Sequence, residues 1–135
     1  MFLVDTNVFS ELVRPRPSLP VVRRLLATDP AALHASEITR YELRFGAALH
    51  PNGDEVWTKV SREILPLPAW LPIDDRVALA TADLRAALRR RGLPIEMSDA
   101  VLAATAKVHD LVLVTRNVRH FQNVHGLTIE NWFPD

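Results

Sequence analysis

The chain contains no cysteine among its 135 residues. A disulfide framework and a cysteine-based zinc site are therefore excluded, and the composition fits a protein of a reducing compartment. A domain of this length buries roughly two-thirds of its unfolded surface, so it needs no covalent or metal cross-link to fold. We expect a single domain over residues 1–135, located in the cytoplasm.

Long apolar runs are also missing. No stretch approaches the roughly 18 apolar residues of a membrane span. Met1 leads directly into an apolar strand, without the basic and apolar regions of a signal peptide. We expect a protein that is neither exported by a signal peptide nor embedded in a membrane.

The chain also has no net charge and few glycines. Sixteen basic and sixteen acidic side chains cancel, so no overall field attracts nucleic acid, and any such binding must come from local clusters of charge. With only four glycines, the sequence has no GxGxxG and no GxxxxGK[ST] motif. Dinucleotide-binding and P-loop classes are therefore excluded.

The most informative feature of the sequence is a pair of apolar runs that are followed by polar residues. The strand predicted at residues 2–4 is followed by Asp5, Thr6 and Asn7, and the strand predicted at 111–115 ends in Thr115. Further short strands are predicted at 31–35 and 127–129. Helices are predicted at about 8–12, 20–28, 37–49, 52–65, 75–91 and 99–109, and residues 65–72 are predicted to be a connection. Alternation of strands and helices favours a parallel sheet covered by helices, with the two polar strand ends at one edge.

Three acids occupy unusual positions in this pattern. Asp5 follows a buried strand, Glu42 lies beside the apolar stripe predicted for its helix, and Asp99 lies at a helix start. Each also has a structural explanation: Asp5 is a good N-cap, and Asp99, beside a predicted Ser98 cap, complements a helix dipole. Glu42 has Arg40 or Arg44 as a possible partner. The stripe consists of Ile38, Tyr41, Phe45 and Leu49.

Convergence of the three acids would require a cation. Two carboxylates about 4 Å apart repel by roughly 4 kcal/mol at an effective dielectric of 20. An all-oxygen ligand set selects a hard ion, Mg²⁺ or Mn²⁺. Such a site suits hydrolysis of phosphodiesters by metal-activated water. Neutral hydrogen bonds would come from Thr6, Asn7, Ser10, Thr115 and Asn117.

Four segments together carry a resemblance to a known family. They are Asp5-Thr6-Asn7 after the first strand, residues 38–43 (ITRYEL), residues 98–104 (SDAVLAA) and residues 113–117 (LVTRN). In this order and spacing the chain resembles PIN domains, and more closely the VapC-type toxins of bacterial toxin–antitoxin modules, in the branch that includes FitB. The resemblance covers essentially the whole chain.

The resemblance implies a three-layer α/β/α fold with a central parallel sheet, and an endoribonuclease that depends on Mg²⁺ or Mn²⁺. It also implies a homodimer and a cognate antitoxin as partners, with RNA as the substrate. The catalytic and metal-binding positions carried over are Asp5, Glu42 and Asp99. Many relatives have a fourth acid, at the place of Asn117 or of His120, and this chain has neither. Residues expected to assist or to contact substrate are Thr6, Asn7, Thr115, Asn117, Arg116, Arg119 and His120.

The sequence is also compatible with two other functions. The missing fourth acid is compatible with a catalytically weak PIN fold that acts as an RNA- or protein-binding module. The same acids would also serve a phosphohydrolase of small phosphoesters. Arg14, Arg16, Arg116 and Arg119 are candidates for contacts with RNA phosphates, whereas residues 89–91 are expected to be a solvated helix end.

Overall fold

A five-stranded parallel sheet forms the centre of the molecule, in a computed structural model that describes residues 1–135. Its strands have the order β3-β2-β1-β4-β5. They are β1 (Phe2–Val4), β2 (Leu33–Ser36), β3 (Ala69–Leu71), β4 (Val112–Val114) and β5 (Ile129–Glu130). The chain runs outward from β1 to β3 and then returns to β4 on the other side of β1. The direction of winding therefore reverses between β1 and β4, which is where open α/β sheets place their ligands.

Six α-helices cover the sheet. They are α1 (Thr6–Phe9), α2 (Leu19–Ala27), α3 (Glu37–Leu49), α4 (Gly53–Glu63), α5 (Asp75–Arg90) and α6 (Met97–Val108). Short 3₁₀ turns occupy Ser10–Leu12, Pro30–Ala32 and Val118–Phe121. None of the helices is both long and apolar enough to cross a membrane.

Apolar residues on both faces of the sheet make two cores. In β1, Val4 faces the core built with helices α1 to α4, and the adjacent Leu3 faces the core built with α5 and α6. Leu113 and Val114 of β4 divide in the same way, because successive side chains of a strand point to opposite faces. These four residues are fully buried. The predicted α/β/α arrangement with a central parallel sheet is thus confirmed.

The third strand is a correction to the sequence prediction. Residues 65–72 were predicted to be a connection because prolines break regular structure, but Ala69–Leu71 pairs with β2 in parallel. This strand lies at the edge of the sheet, where one side of the strand needs no hydrogen-bonding partner and prolines are tolerated nearby. Trp70 stabilises it locally by donating its indole N–H to the Leu65 carbonyl at 2.9 Å.

The predicted apolar stripe of α3 is wrong for three of its four residues, since only Ile38 packs against the core. Tyr41, Phe45 and Leu49 are 59%, 53% and 71% exposed, and the side chains that α3 buries are Thr39, Leu43 and Ala47. The rings of Tyr41 and Phe45 stack on each other, with centroids 5.8 Å apart. The helix has two apolar stripes, and its three-residue periodicity did not indicate which one faces the sheet. The sequence also predicts Leu26 of α2, and Leu79 and Ala87 of α5, on the apolar sides of their helices, and all three are exposed in the structure.

Candidate active site

Asp5 lies at the carboxyl end of β1 and is 6% exposed. Its carboxylate accepts hydrogen bonds from the Thr6 backbone N–H at 2.7 Å, the Thr115 hydroxyl at 2.8 Å and the Asn7 amide at 3.3 Å. It therefore caps α1, as one reading of the sequence suggested, and it also joins the ends of β1 and β4. Burial raises the pKa of Asp5 to about 6, against the lowering effect of the Thr115 and Thr6 hydrogen bonds and with further raising by the charges of Glu42 and Asp99.

Glu42 belongs to the same site rather than to an ion pair on its own helix. Its carboxylate accepts a hydrogen bond of 2.7 Å from the Thr6 hydroxyl. The two arginines offered as partners by the sequence are occupied elsewhere. Arg40 binds Glu37 and lies over the Trp70 ring, and Arg44 lies over the Trp57 ring.

Asp99 lies in the first turn of α6. The prediction that Ser98 caps this helix is wrong: the helix begins at Met97 and Glu96 is at the N-cap position, without a side-chain hydrogen bond. Asp99 Oδ2 pairs with His120 Nδ1 at 3.0 Å. Burial raises the pKa of Asp99, the nearby His120 counteracts this, and the charge of Glu96 adds to it. Glu96 is an acid near the site that the sequence did not indicate, since it lies in an irregular segment.

The structure brings the three predicted acids to one end of the sheet, where Glu42 and Asp99 each raise the pKa of Asp5. As the side chains stand, no three histidine or acidic groups are close enough together to hold one metal ion. Glu42 is turned toward Thr6 and Asp99 toward His120. Carboxylate oxygens are the ligands that hard divalent cations prefer. The chemistry of these three carboxylates thus fits such a cation.

Uncharged residues hold this arrangement together. Thr115 is fully buried, donates to Asp5, and accepts from the Asn117 backbone N–H at 3.0 Å. Asn7 donates to Asp5 and accepts from the Arg116 backbone N–H at 3.3 Å. The Ser10 hydroxyl donates to the Thr6 carbonyl at 2.8 Å and so supports the end of α1. These bonds tie the turn after β4 to the start of α1.

A polar cleft of about 370 Å³ lies beside the acids, lined by Arg116, Asn117, Val118, Arg119, His120 and Asn131. Apart from Val118 and Asn131, these are residues predicted to assist or to contact substrate. Arg14, another predicted phosphate contact, forms a 2.9 Å ion pair with Glu11. Glu11 is 3% exposed and also accepts from the Ser18 backbone N–H. The sequence did not indicate this buried acid, which fastens the loop after the first 3₁₀ turn.

We expect Asp5→Asn to raise the free energy of unfolding of the protein in EDTA by about 1–2 kcal/mol at pH 8. The folded protein binds the Asp5 proton more tightly than the unfolded chain, because the pKa rises from 3.8 to about 6 on folding. The parent protein therefore loses stability as the pH rises from about 4 to about 6 and does not regain it above that range. Asparagine carries no charge to bury, so its advantage vanishes near pH 4.

Urea unfolding at about pH 4 and pH 8 measures this difference. The exposed Asp83 on α5 provides a matched control as Asp83→Asn. That control should leave the difference between the two pH values unchanged. Equal stability of the parent and Asp5→Asn at pH 8 would contradict the prediction.

The chain is similar to proteins of one family over nearly its whole length. The family model "PIN domain" matches residues 2–127. The chain is 40% identical over 126 residues to Toxin FitB of Neisseria gonorrhoeae, covering 90% of this chain and 91% of that protein. It is 36% identical over 140 residues to VapC ribonuclease Y4jK of Sinorhizobium fredii, covering 99% of each. The crystal structure of FitAcB from Neisseria gonorrhoeae superposes with a TM-score of 0.87 at 35% identity, covering 98% of each chain.

Proposed function

The chain belongs to the PIN domain family, and from this premise we propose that it is the toxin of a type II toxin–antitoxin system, acting as a metal-dependent endoribonuclease. Its relatives include a protein named a toxin and a protein named a ribonuclease, each matched over at least nine-tenths of both chains. The single observation that carries the proposal is Asp5, buried at the point where the sheet reverses its winding, with Glu42 and Asp99 near enough for their charges to raise its pKa.

The proposed metal ligands are Asp5, Glu42 and Asp99, and the proposed ion is Mg²⁺ or Mn²⁺. When bound, such a cation supplies activation of water and neutralisation of charge on the scissile phosphate. The raised pKa of Asp5 supports this assignment, because a buried carboxylate with two acidic neighbours gains stability from a cation.

The chain's own residues set the geometry for this chemistry. Thr115 and the Thr6 backbone N–H fix both oxygens of Asp5, so the carboxylate is oriented before substrate arrives. Thr6 also orients Glu42 through its hydroxyl. His120 Nδ1 lies 3.0 Å from Asp99 Oδ2 and holds that side chain in place, and His120 also lines the cleft in which we place the RNA backbone.

Protein partners are the second part of the proposal. We propose that the chain forms a homodimer in the cytoplasm and binds a cognate antitoxin. A nuclease that attacks the RNA of its own cell requires an inhibitor, and the relative named Toxin FitB supports this reading. The exposed apolar side chains of Tyr41, Phe45 and Leu49 on α3 also support it, because contiguous exposed apolar surface marks protein contacts.

Incubation of the purified protein with structured RNA tests the nuclease proposal. We expect cleavage in Mg²⁺ or Mn²⁺ and none in EDTA, with recovery when the divalent cation is added in excess. Because the ion is proposed to supply the water activation, its removal should abolish cleavage rather than weaken RNA binding. Cleavage that persists in EDTA would contradict the metal requirement.

A second candidate is a catalytically weak PIN-fold module that binds RNA or protein. It is favoured by the fourth position, where Asn117 is exposed and His120 pairs with Asp99, so neither residue supplies a fourth carboxylate. The same incubation separates the two functions. Binding of RNA without cleavage in either metal would support the module and contradict the nuclease.

A further inference from the structure

Arg116 is held between an aromatic ring and a carboxylate at the edge of the cleft. Its guanidinium carbon lies 4.5 Å from the centroid of the Phe133 ring, and its Nη2 donates to Asp135 Oδ2 at 2.7 Å. Phe133 is 8% exposed and thus fixed in the core, whereas the side chains of Arg116 and Asp135 are 45% and 64% exposed. The ring therefore lies against the guanidinium, and the carboxylate accepts one of its hydrogen bonds.

The segment after β5 is built to present this ring. The Asn131 side chain accepts a hydrogen bond from the Phe133 backbone N–H at 3.0 Å. Trp132 is buried and donates its indole N–H to Glu130 at 2.9 Å. Arg24 binds the same Glu130 oxygen and lies over the Trp132 ring. The position of Phe133 is consequently determined by several contacts that do not involve Arg116.

Two hydrogen bonds connect Arg116 with the proposed catalytic acids. The Arg116 backbone N–H donates to Asn7, and Asn7 donates to Asp5. On its other side, Arg116 lines the cleft together with Arg119 and His120, and His120 pairs with Asp99. A cationic, polar surface thus runs directly alongside the acids, although the chain as a whole has no net charge.

The Asp135 carboxylate can bind a guanidinium in the same way as a phosphate does. Carboxylate and phosphate oxygens accept from the planar guanidinium in the same manner. The hydrogen bond from Arg116 lowers the pKa of Asp135, so the group is an anion at neutral pH. An ion pair this exposed is weak and can be displaced. The contact with the Phe133 ring, by contrast, does not involve the carboxylate, and Phe133 is held by its own segment.

We propose that Arg116, oriented by Phe133, binds a backbone phosphate of RNA next to the cleavage site, and that the Asp135 side chain occupies this phosphate position until RNA displaces it. This inference rests on the proposed function, because it assigns a substrate contact to the same site. Phe133 is then a positioning residue, and Asp135 is an internal competitor of the substrate.

Fluorescence anisotropy with a fluorescein-labelled, single-stranded RNA of about 20 nucleotides tests the proposal. The measurement is made in EDTA, so binding is observed without cleavage. We expect Asp135→Asn to lower the Kd about 2- to 5-fold at low salt, which is the range of an exposed ion pair. Arg116→Gln should raise the Kd about 5-fold and reduce the salt slope by about 0.7, the value for one phosphate contact on a single strand.

The double variant supplies the decisive comparison. Once Arg116 is replaced, there is no guanidinium for which Asp135 and the RNA phosphate could compete. The double variant Arg116→Gln with Asp135→Asn should therefore bind RNA as weakly as Arg116→Gln alone. Phe133→Leu keeps an apolar side chain but loses the aromatic face, and should raise the Kd about 2-fold with Arg116 still present. The exposed pair of Arg62 and Glu63 on α4, with a contact of 2.8 Å, is the matched control. Arg62→Gln and Glu63→Gln should both leave the Kd unchanged.

Failure of this inference is distinguishable from failure of the proposed function. If the parent cleaves RNA in metal but Arg116→Gln binds RNA as the parent does, the nuclease stands and the phosphate site is overturned. If Asp135→Asn improves binding equally with and without Arg116, the carboxylate acts only by general repulsion and competition is overturned. If the parent neither binds nor cleaves RNA, both are overturned.

Discussion

Replacement of Asp5 or Asp99 by asparagine should lower the rate of RNA cleavage by about 100- to 1,000-fold, the loss typical when one preorganised charged or dipolar group is removed from an active site. Asparagine keeps the shape of the side chain and one oxygen acceptor, but it removes the charge that a divalent cation requires. Asp5 is buried with its carboxylate held by three hydrogen-bond donors, so no neighbouring acid can take its place. Cleavage rates at saturating Mn²⁺ and Mg²⁺ measure the effect.

The stability predicted for Asp5→Asn makes this experiment unambiguous. Burial of the charged carboxylate destabilises the metal-free protein, so the Asp5→Asn variant should be more stable than the parent at pH 8 while cleaving RNA far more slowly. Loss of activity with a gain in stability cannot arise from unfolding. Asp83→Asn, on the exposed surface of α5, is the matched control and should cleave RNA at the parent's rate. If both active-site variants retain the parent's rate, the three-acid mechanism is wrong.

Leu43→Ala should lower the free energy of unfolding by about 2–4 kcal/mol, whereas Leu49→Ala on the same helix should change it by less than about 0.5 kcal/mol. Leu43 is 6% exposed in the core between the sheet and helices α1 to α4, and Leu49 is 71% exposed. The two substitutions remove the same atoms from the same helix, and a difference of several kcal/mol between them exceeds what helix propensity contributes and therefore reports burial. Urea unfolding measures both.

This pair separates the structure from the sequence pattern. The pattern predicted that Leu49 lies on the core-facing stripe of α3, and the structure places Leu43 there instead. Equal losses for the two variants would contradict the orientation of α3. A large loss for Leu49 that disappears on dilution would identify it as a residue of a protein interface.

Much of the site could be predicted from the sequence because its signals are local. An acid that directly follows an apolar run lies at the end of the strand which that run forms. An acid in the first turn of a helix is located by the signals that start the helix. Parallel strands bring their carboxyl ends to one edge, so Asp5 and Thr115 had to meet if their strands were neighbours. Glu42 was recognised as unusual, but its partner Thr6 is 36 residues away, and no local pattern carries that information.

The sequence by itself determined the alternation of strands and helices, the parallel sheet and the three acids, since each follows from periodicity, chain direction or a helix terminus. Tertiary structure alone decided which face of α3 is buried, that Ala69–Leu71 is a strand, and that Asp99 pairs with His120. It also decided that Phe133 and Asp135 hold Arg116 beside the acids. The physical reason is that these features depend on contacts between segments distant along the chain, where the packing of neighbours overrides local propensity.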